Sequence, residues 1–100
     1  MEITKRERDA FSMPSRREIL ETAARLKAAR LAINPNQAEF ADKAGLKQNR
    51  YNQYETAQRP LTLDAALKLR DAYGITLDYL YRGDAALIPH GLMQLLQGRT

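Results

Sequence analysis

Apolar residues recur every three to four positions in several segments of this chain, and no segment shows the strict alternation that is typical of strands. The first periodic segment follows Ser15, which can form a capping box with Glu18. Its apolar stripe predicts a helix from this cap to about Ala32; the stripe consists of Ile19, Ala23 and Leu26. Pro35 ends this helix, because proline disfavours helical geometry in the residue before it.

A second capping signature introduces two short helices that are joined by a glycine. Asn36 and Glu39 are spaced as a cap and its partner, and Gly45 supplies the backbone freedom that a helix end commonly needs. The predicted helices cover roughly 37–44 and 48–56. The residues of the first that we expect to be buried are Ala38, Phe40, Ala41 and Ala44.

Two further helices each begin after a threonine that can cap them and end at a glycine. The predicted ranges are 63–73, between Thr62 and Gly74, and 77–81, between Thr76 and Gly83. The core side of the first is assigned to Leu63, Ala66, Leu67, Leu69 and Ala72. Proline at position 89 suits the start of a sixth helix over 90–97. The fold is therefore predicted to be all-α.

The chain divides into three parts by composition. Residues 1–14 are charged and unpatterned and are interpreted as a flexible arm, 15–83 as a helical domain, and 84–100 as an apolar tail. The large apolar residues of the tail are Leu87, Ile88, Leu92, Met93, Leu95 and Leu96. So many in a short span are rarely left exposed. The tail either folds back onto the helices at 16–32 and 77–81 or pairs with another subunit, and we favour the second.

The helix at 48–56 carries amides on one face and aromatic rings on the other. At about 100° per residue, the side chains on its polar face are Gln48, Asn49, Asn52 and Gln53. Tyr51 and Tyr54 lie opposite, and Lys47 and Arg50 flank the amides. Planar amides match the donor and acceptor pair of a base edge, whereas the flanking cations could reach phosphate or guanine. The alternative interpretation is a polar face that is merely solvated.

One charge is aimed at the predicted core. Arg30 continues the apolar stripe of the first helix, so its guanidinium needs a hydrogen-bonded partner of opposite charge. Glu55, beside the tyrosines of the third helix, is the best candidate. Such a pair would join the first helix to the third. The alternative is two exposed charges.

Composition excludes several classes of function. The net charge is +4 and the pI about 9.6, which favours a polyanionic partner. There is no cysteine, and His90 is the only histidine, so no His-based triad, metal centre or cofactor is expected. No signal peptide or membrane span is apparent. We therefore expect a cytoplasmic protein that is not an enzyme and has no membrane partner.

With these residues in place, the chain resembles the phage repressor/Cro-type (XRE-like) helix-turn-helix regulators over about Leu26 to Gly83. The residues that carry the resemblance are Arg30, Asn36-Gln37-Ala38-Glu39, Ala41, Gly45, Glu55, Pro60, Leu67 and Leu77-Asp78-Tyr79-Leu80. It implies a compact five-helix lambda-repressor-like DNA-binding bundle, here with an apolar C-terminal extension that is predicted to add a sixth helix. The third helix would enter the major groove.

The resemblance also assigns roles to single residues. It makes Gln37 a phosphate contact that braces the third helix, and it places Gln48, Asn49 and Gln53 at base-reading positions. Asn52 and Lys47 are neighbours that can contact bases or backbone, and Arg50 joins Lys47 as a candidate for phosphate. Arg59 lies where the family often contacts the DNA backbone. Arg30 and Glu55 match the family's buried ion pair.

Two positions depart from the family pattern. Ala57 stands where the family usually has glycine, so a left-handed turn there would be strained or remodelled. Lys47 stands where the family favours a serine or threonine cap. Lysine cannot cap a helix, but its charge could serve DNA phosphate.

The resulting hypothesis is a sequence-specific regulator of transcription that binds a pseudo-palindromic operator in double-stranded DNA as a homodimer, with repression by promoter occlusion as the simplest mechanism. One alternative is an antitoxin that also binds a toxin, a protein partner, through its tail. Another is a helical interaction module without DNA binding. The cations of the N-terminal arm either reach DNA or are simply solvated; they are Lys5, Arg6 and Arg8.

Overall fold

A computed structural model of the protein describes residues 14–97, and all the regular elements in this part of the chain are α-helices. In chain order they are α1 (Arg16–Ile33), α2 (Gln37–Lys43), α3 (Gln48–Glu55), α4 (Leu63–Tyr73), α5 (Leu77–Arg82) and α6 (His90–Gln97). This confirms the all-α prediction, including the sixth helix. Within the same residues, no helix is both long enough and apolar enough to cross a membrane.

Local capping explains where most of these helices begin. The capping box at α1 is complete, since Ser15 accepts from the backbone N–H of Glu18 and the Glu18 side chain accepts from that of Ser15. Thr62 and Thr76 cap α4 and α5 through their side chains, as predicted. Asn36 caps α2, although its own N–H donates to the Asn34 side chain rather than to Glu39.

The core gathers residues from every helix. Its largest fully buried side chains are Leu26, Phe40, Tyr51, Leu69, Ile75 and Leu80. The Phe40 ring stacks on Tyr73 with a centroid separation of 4.2 Å and meets Tyr51 at 5.4 Å. The Tyr73 hydroxyl also donates to the Phe40 carbonyl oxygen at 2.7 Å. This aromatic cluster fixes α2 between α3 and α4.

Three residues that we predicted to be buried are exposed instead. Ala38 lies on the solvent side of α2, because the buried face of that helix is centred on Phe40 and Ala41. In α4 the buried stripe is formed by Ala65, Ala66 and Leu69. Leu63, which is 61% exposed, and Ala72 lie at the two edges of that stripe. Apolar spacing alone did not show which of two adjacent stripes faces the core.

The apolar tail folds back onto the chain's own bundle. Helix α6 packs against α1, and Ile88 and Leu92 belong to the main core cluster, each only 7% exposed. Leu87 and Leu95 remain 74% and 51% exposed. The structure thus shows the first of the two alternatives for the tail, and pairing with another subunit stays a prediction. The arm predicted at 1–14 lies, apart from Pro14, outside the described residues.

Candidate nucleic-acid interface

A tight turn at Gly45 sets the direction of α3 relative to α2. Gly45 has a φ of +77°, in the left-handed region where a residue with a Cβ is strained. Its N–H donates to the carbonyl of Asp42, and the N–H of Leu46 donates to that of Ala41, both at 2.9 Å. These bonds satisfy carbonyls at the end of α2. Helices α2 and α3 therefore form a rigid helix-turn-helix unit.

Aromatic side chains anchor the inner side of α3. Tyr51 and Tyr54 are both buried in the core, as predicted from the helical wheel. The Tyr51 hydroxyl is enclosed and has no hydrogen-bond partner within residues 14–97. Burial, with the nearby Glu55 carboxylate as a further cause, raises the pKa of Tyr51 far above the ordinary value for tyrosine. The phenol therefore stays neutral and acts as an apolar anchor for the helix.

Arg30 and Glu55 form a buried ion pair between α1 and α3. The Arg30 Nε lies 2.5 Å from one carboxylate oxygen and Nη2 lies 3.0 Å from the other, so the pair is bidentate. Nη1 also donates to the carbonyl of Pro35 at 2.8 Å. Hydrogen bonding to Glu55 is the main cause that raises the pKa of Arg30 above its ordinary value. This geometry joins the two residues that the helical wheel had paired.

Gln37 connects this ion pair to the polar face of α3. Its Nε2 donates to the side-chain oxygen of Asn52 at 3.1 Å and lies 3.5 Å from Oε1 of Glu55. Its own oxygen accepts from Nε2 of Gln48 at 3.5 Å. Because the start of α2 is connected in this way to three residues of α3, Gln37 braces the helix that carries the amides. Both N–H groups of the Gln37 side chain face acceptors within the protein, so the predicted phosphate contact of Gln37 falls to its backbone N–H.

The four amides predicted on the polar face do lie on the outer side of α3. Gln48 and Asn49 are exposed, whereas Asn52 and Gln53 are half-buried. Gln48, Asn49 and Asn52 line a shallow recess together with Gln37, so all the side chains of its rim are carboxamides. Such a surface offers paired donors and acceptors but carries no net charge.

A basic cleft flanks α3 on the side away from Gln37. Lys47 and Arg50 line it, as does Lys68 of α4, whose ammonium group lies 3.3 Å from the Asp64 carboxylate. Lys47 precedes α3 and makes no capping bond, because a lysine side chain has no hydrogen-bond acceptor. Sequence reasoning missed Lys68, because its spacing to Asp64 is that of an ordinary surface pair on a helix.

The loop after α3 contains the departure at Ala57. Ala57 keeps a left-handed backbone, with a φ of +61°, although it carries a Cβ. Its carbonyl accepts from the guanidinium of Arg16 at the start of α1. The N–H groups of Gln58 and Arg59 both donate to the carbonyl of Gln53, at 2.9 and 3.2 Å. The exposed Arg59 side chain thus extends from a loop that is tied both to α3 and to α1.

Comparison with known proteins agrees with this geometry. The helix-turn-helix family profile matches residues 26–80, which run from the middle of α1 into α5. The chain belongs to the helix-turn-helix family. This confirms the resemblance found in the sequence, and the turn at Gly45 is the turn of the helix-turn-helix unit.

A curated relative gives further context. The chain is 38% identical over 56 residues to the cryptic phage CTXphi transcriptional repressor RstR of Vibrio cholerae serotype O1. The aligned region covers 56% of this chain and 50% of RstR, so the chain spans about half the length of that relative. No solved structure matches the chain.

Proposed function

We propose that this protein is a sequence-specific DNA-binding regulator of transcription, acting by binding rather than by catalysis. The observation that carries the proposal is the orientation of α3. Its tyrosines and Glu55 are buried, and its four amides face outward beside a basic cleft. A helix held in this way can enter a major groove, where amide side chains match the donors and acceptors of the base edges.

The two kinds of side chain on this surface have different tasks in the proposal. The amides read base edges; they are Gln48, Asn49, Asn52 and Gln53. The groups that hold the phosphate backbone are the backbone N–H of Gln37 at the start of α2 and the side chains of Lys47, Arg50 and Arg59, and the position of Lys68 in the same cleft adds it to this set. Phosphate contacts fix position and supply salt-dependent affinity, whereas base contacts supply sequence preference.

We further propose that the protein acts as a repressor and binds a pseudo-palindromic operator as a homodimer in the cytoplasm. The similarity to the repressor RstR supports the direction of regulation. A dimer would place two copies of α3 in successive major grooves, about 34 Å apart. The exposed Leu87, just before α6, and Leu95, within α6, offer apolar surface for the second subunit. Bound across a promoter, such a dimer would exclude the polymerase.

Selection of bound duplexes from a randomised pool tests the proposal. We expect the parent protein to enrich one sequence motif and each of Gln48→Ala and Gln53→Ala to relax preference at its own base pair. Lys47→Ala should weaken binding to all sequences alike and reduce the slope of log affinity against log salt by about one unit. If the parent enriches no motif and shows no salt-sensitive binding to any duplex, the proposal is wrong.

A further inference from the structure

The orientation of the Gln37 amide is determined by its charged neighbour. A carboxylate accepts hydrogen bonds and cannot donate them, so the nitrogen of Gln37 must face Oε1 of Glu55. Both carboxylate oxygens of Glu55 are already fixed by the Arg30 guanidinium. The same nitrogen reaches Oδ1 of Asn52 at 3.1 Å. Glu55 therefore orients Gln37, and Gln37 orients Asn52.

This series of hydrogen bonds leaves the amide nitrogen of Asn52 without a partner within residues 14–97. Its oxygen faces Gln37, and in a planar carboxamide the nitrogen then points the other way. Within residues 14–97 the Asn52 Nδ2 makes no hydrogen bond, and Asn52 lies at the rim of the amide recess. An unconstrained asparagine could present either a donor or an acceptor, but this one presents its N–H donors.

We propose that Glu55, acting through Gln37, makes Asn52 a reader of base edges that accept hydrogen bonds. The inference rests on the proposed function and makes it more specific. Guanine offers the adjacent acceptors N7 and O6 in the major groove, and thymine offers O4. Cytosine offers only its N4 donor, and the bidentate contact to adenine needs a free amide oxygen. Asn52 is thus a specificity determinant, and Gln37 and Glu55 are its positioning residues.

Duplex selection with three variants tests the proposal. Asn52→Ala identifies the base pair that Asn52 reads, since preference should be lost there and kept elsewhere. At that base pair the parent should prefer a base that has its major-groove acceptors over the same base without one by about fivefold or more: guanine over 7-deazaguanine in a G·C pair, or thymine over 5-methyl-2-pyrimidinone, which lacks O4, in a T·A pair. Gln37→Met keeps the side-chain length but removes the orienting amide. In this variant the ratio of the two affinities should therefore fall towards one. Gln58→Met is the matched control: it makes the same change at an exposed position of the loop after α3, where the side chain does not contact Gln37, Asn52 or Glu55.

Two results would overturn the inference while leaving the proposed function intact. One is a Gln37→Met variant that keeps the parent's preference at the Asn52 base pair. The other is a parent whose binding is unchanged when the acceptors at that base pair are removed. If the parent enriches no motif at all, the proposed function itself fails.

A measurement on the free protein tests the orientation without DNA. The side-chain amide protons of Gln37 should exchange with water more slowly in NMR spectra than those of Asn52, because only the former are hydrogen-bonded. Gln37→Met should leave the Asn52 amide protons unprotected, and its backbone spectrum should show that the fold is retained. Slower exchange at Asn52 than at Gln37 in the parent would contradict the proposed direction of the bonds.

Discussion

At the scale of single residues, Ala57 is the one non-glycine residue with a positive φ among residues 14–97, and its backbone is strained. A residue with a Cβ in the left-handed region costs roughly 1–2 kcal/mol, because the Cβ crowds the following carbonyl oxygen. Ala57 is held there between α3 and the loop that carries Arg59, and Arg16 binds its carbonyl. The turn typical of the family is therefore kept without the glycine that usually permits it. The sequence raised both outcomes, a strained turn and a remodelled one, and the structure has the strained turn.

Replacing this alanine with glycine should stabilise the protein. Ala57→Gly removes the strain, while the greater freedom of glycine in the unfolded chain offsets roughly 0.5–1 kcal/mol of the gain. The Ala57 side chain is only 2% exposed although it lies outside the main core cluster, so the loss of its methyl should offset a further part of the gain. We expect the free energy of unfolding in urea to rise by up to about 1 kcal/mol. The control is Ala44→Gly, at a buried alanine with a φ of −84°, which should lower stability instead.

At Lys47, stability and the proposed function favour different residues. Lys47→Ser should supply the missing cap of α3 and raise the free energy of unfolding by about 1 kcal/mol. The same change should weaken DNA binding, because a cation in the basic cleft is lost. Lys47→Ala separates the two effects, since it removes the charge without adding a cap. Urea unfolding gives the stability of each variant, and salt titrations of DNA binding give its affinity. Equal losses of affinity with unequal stabilities would support this interpretation. Unchanged affinity in both variants would contradict it.

At the scale of helices, boundaries could be predicted because their signals are local. The caps at Ser15, Thr62 and Thr76 and the glycine at position 74 each act within a few residues of the helix end. The direction of α3 could be predicted for the same reason, since its tyrosines and amides separate cleanly around the helix. The exposure of Leu63 could not, because it depends on where α4 packs, and that is decided by contacts with other helices.

The tail helix α6 packs against α1, which is the alternative that we did not favour from the sequence. Leu92 is packed into the core against α1, whereas Leu95, one turn later, is half-exposed. Leu92→Ala should lower the free energy of unfolding by about 2–3 kcal/mol through loss of buried surface and the cavity left behind. Leu95→Ala should change it by less than about 0.5 kcal/mol. Urea unfolding of the two variants compares them directly, and equal losses would show that α6 does not pack as described.

The Leu95→Ala variant also distinguishes an effect on dimer assembly from an effect on folding. If the exposed apolar surface of α6 holds a second subunit, Leu95→Ala should raise the dissociation constant of the dimer in analytical ultracentrifugation while leaving the monomer's fold unchanged. Leu92→Ala would weaken both.

At the scale of the whole molecule, one polar network connects α1 to α2 and α3, which carry most of the proposed interface. Arg30 comes from α1, Gln37 from α2, and Glu55 and Asn52 from α3. The ion pair could be predicted, because a charge on a buried stripe needs a partner. The link through Gln37 to Asn52 could not, since it depends on how the two short helices sit against each other after the turn at Gly45. In the proposed function, fold stability and base reading therefore depend on the same buried group, Glu55.

A double-mutant cycle on Arg30 and Glu55 measures how far this network stabilises the fold. Glu55→Ala or Arg30→Met alone leaves an unpaired buried charge and should lower the free energy of unfolding by about 3–5 kcal/mol. Combining the two removes both charges, so the double variant should lose at least about 2 kcal/mol less than the sum of the single losses. Urea unfolding at neutral pH gives all four free energies. Strictly additive losses would mean that each side chain stabilises the protein through separate contacts, such as that of Arg30 with the Pro35 carbonyl.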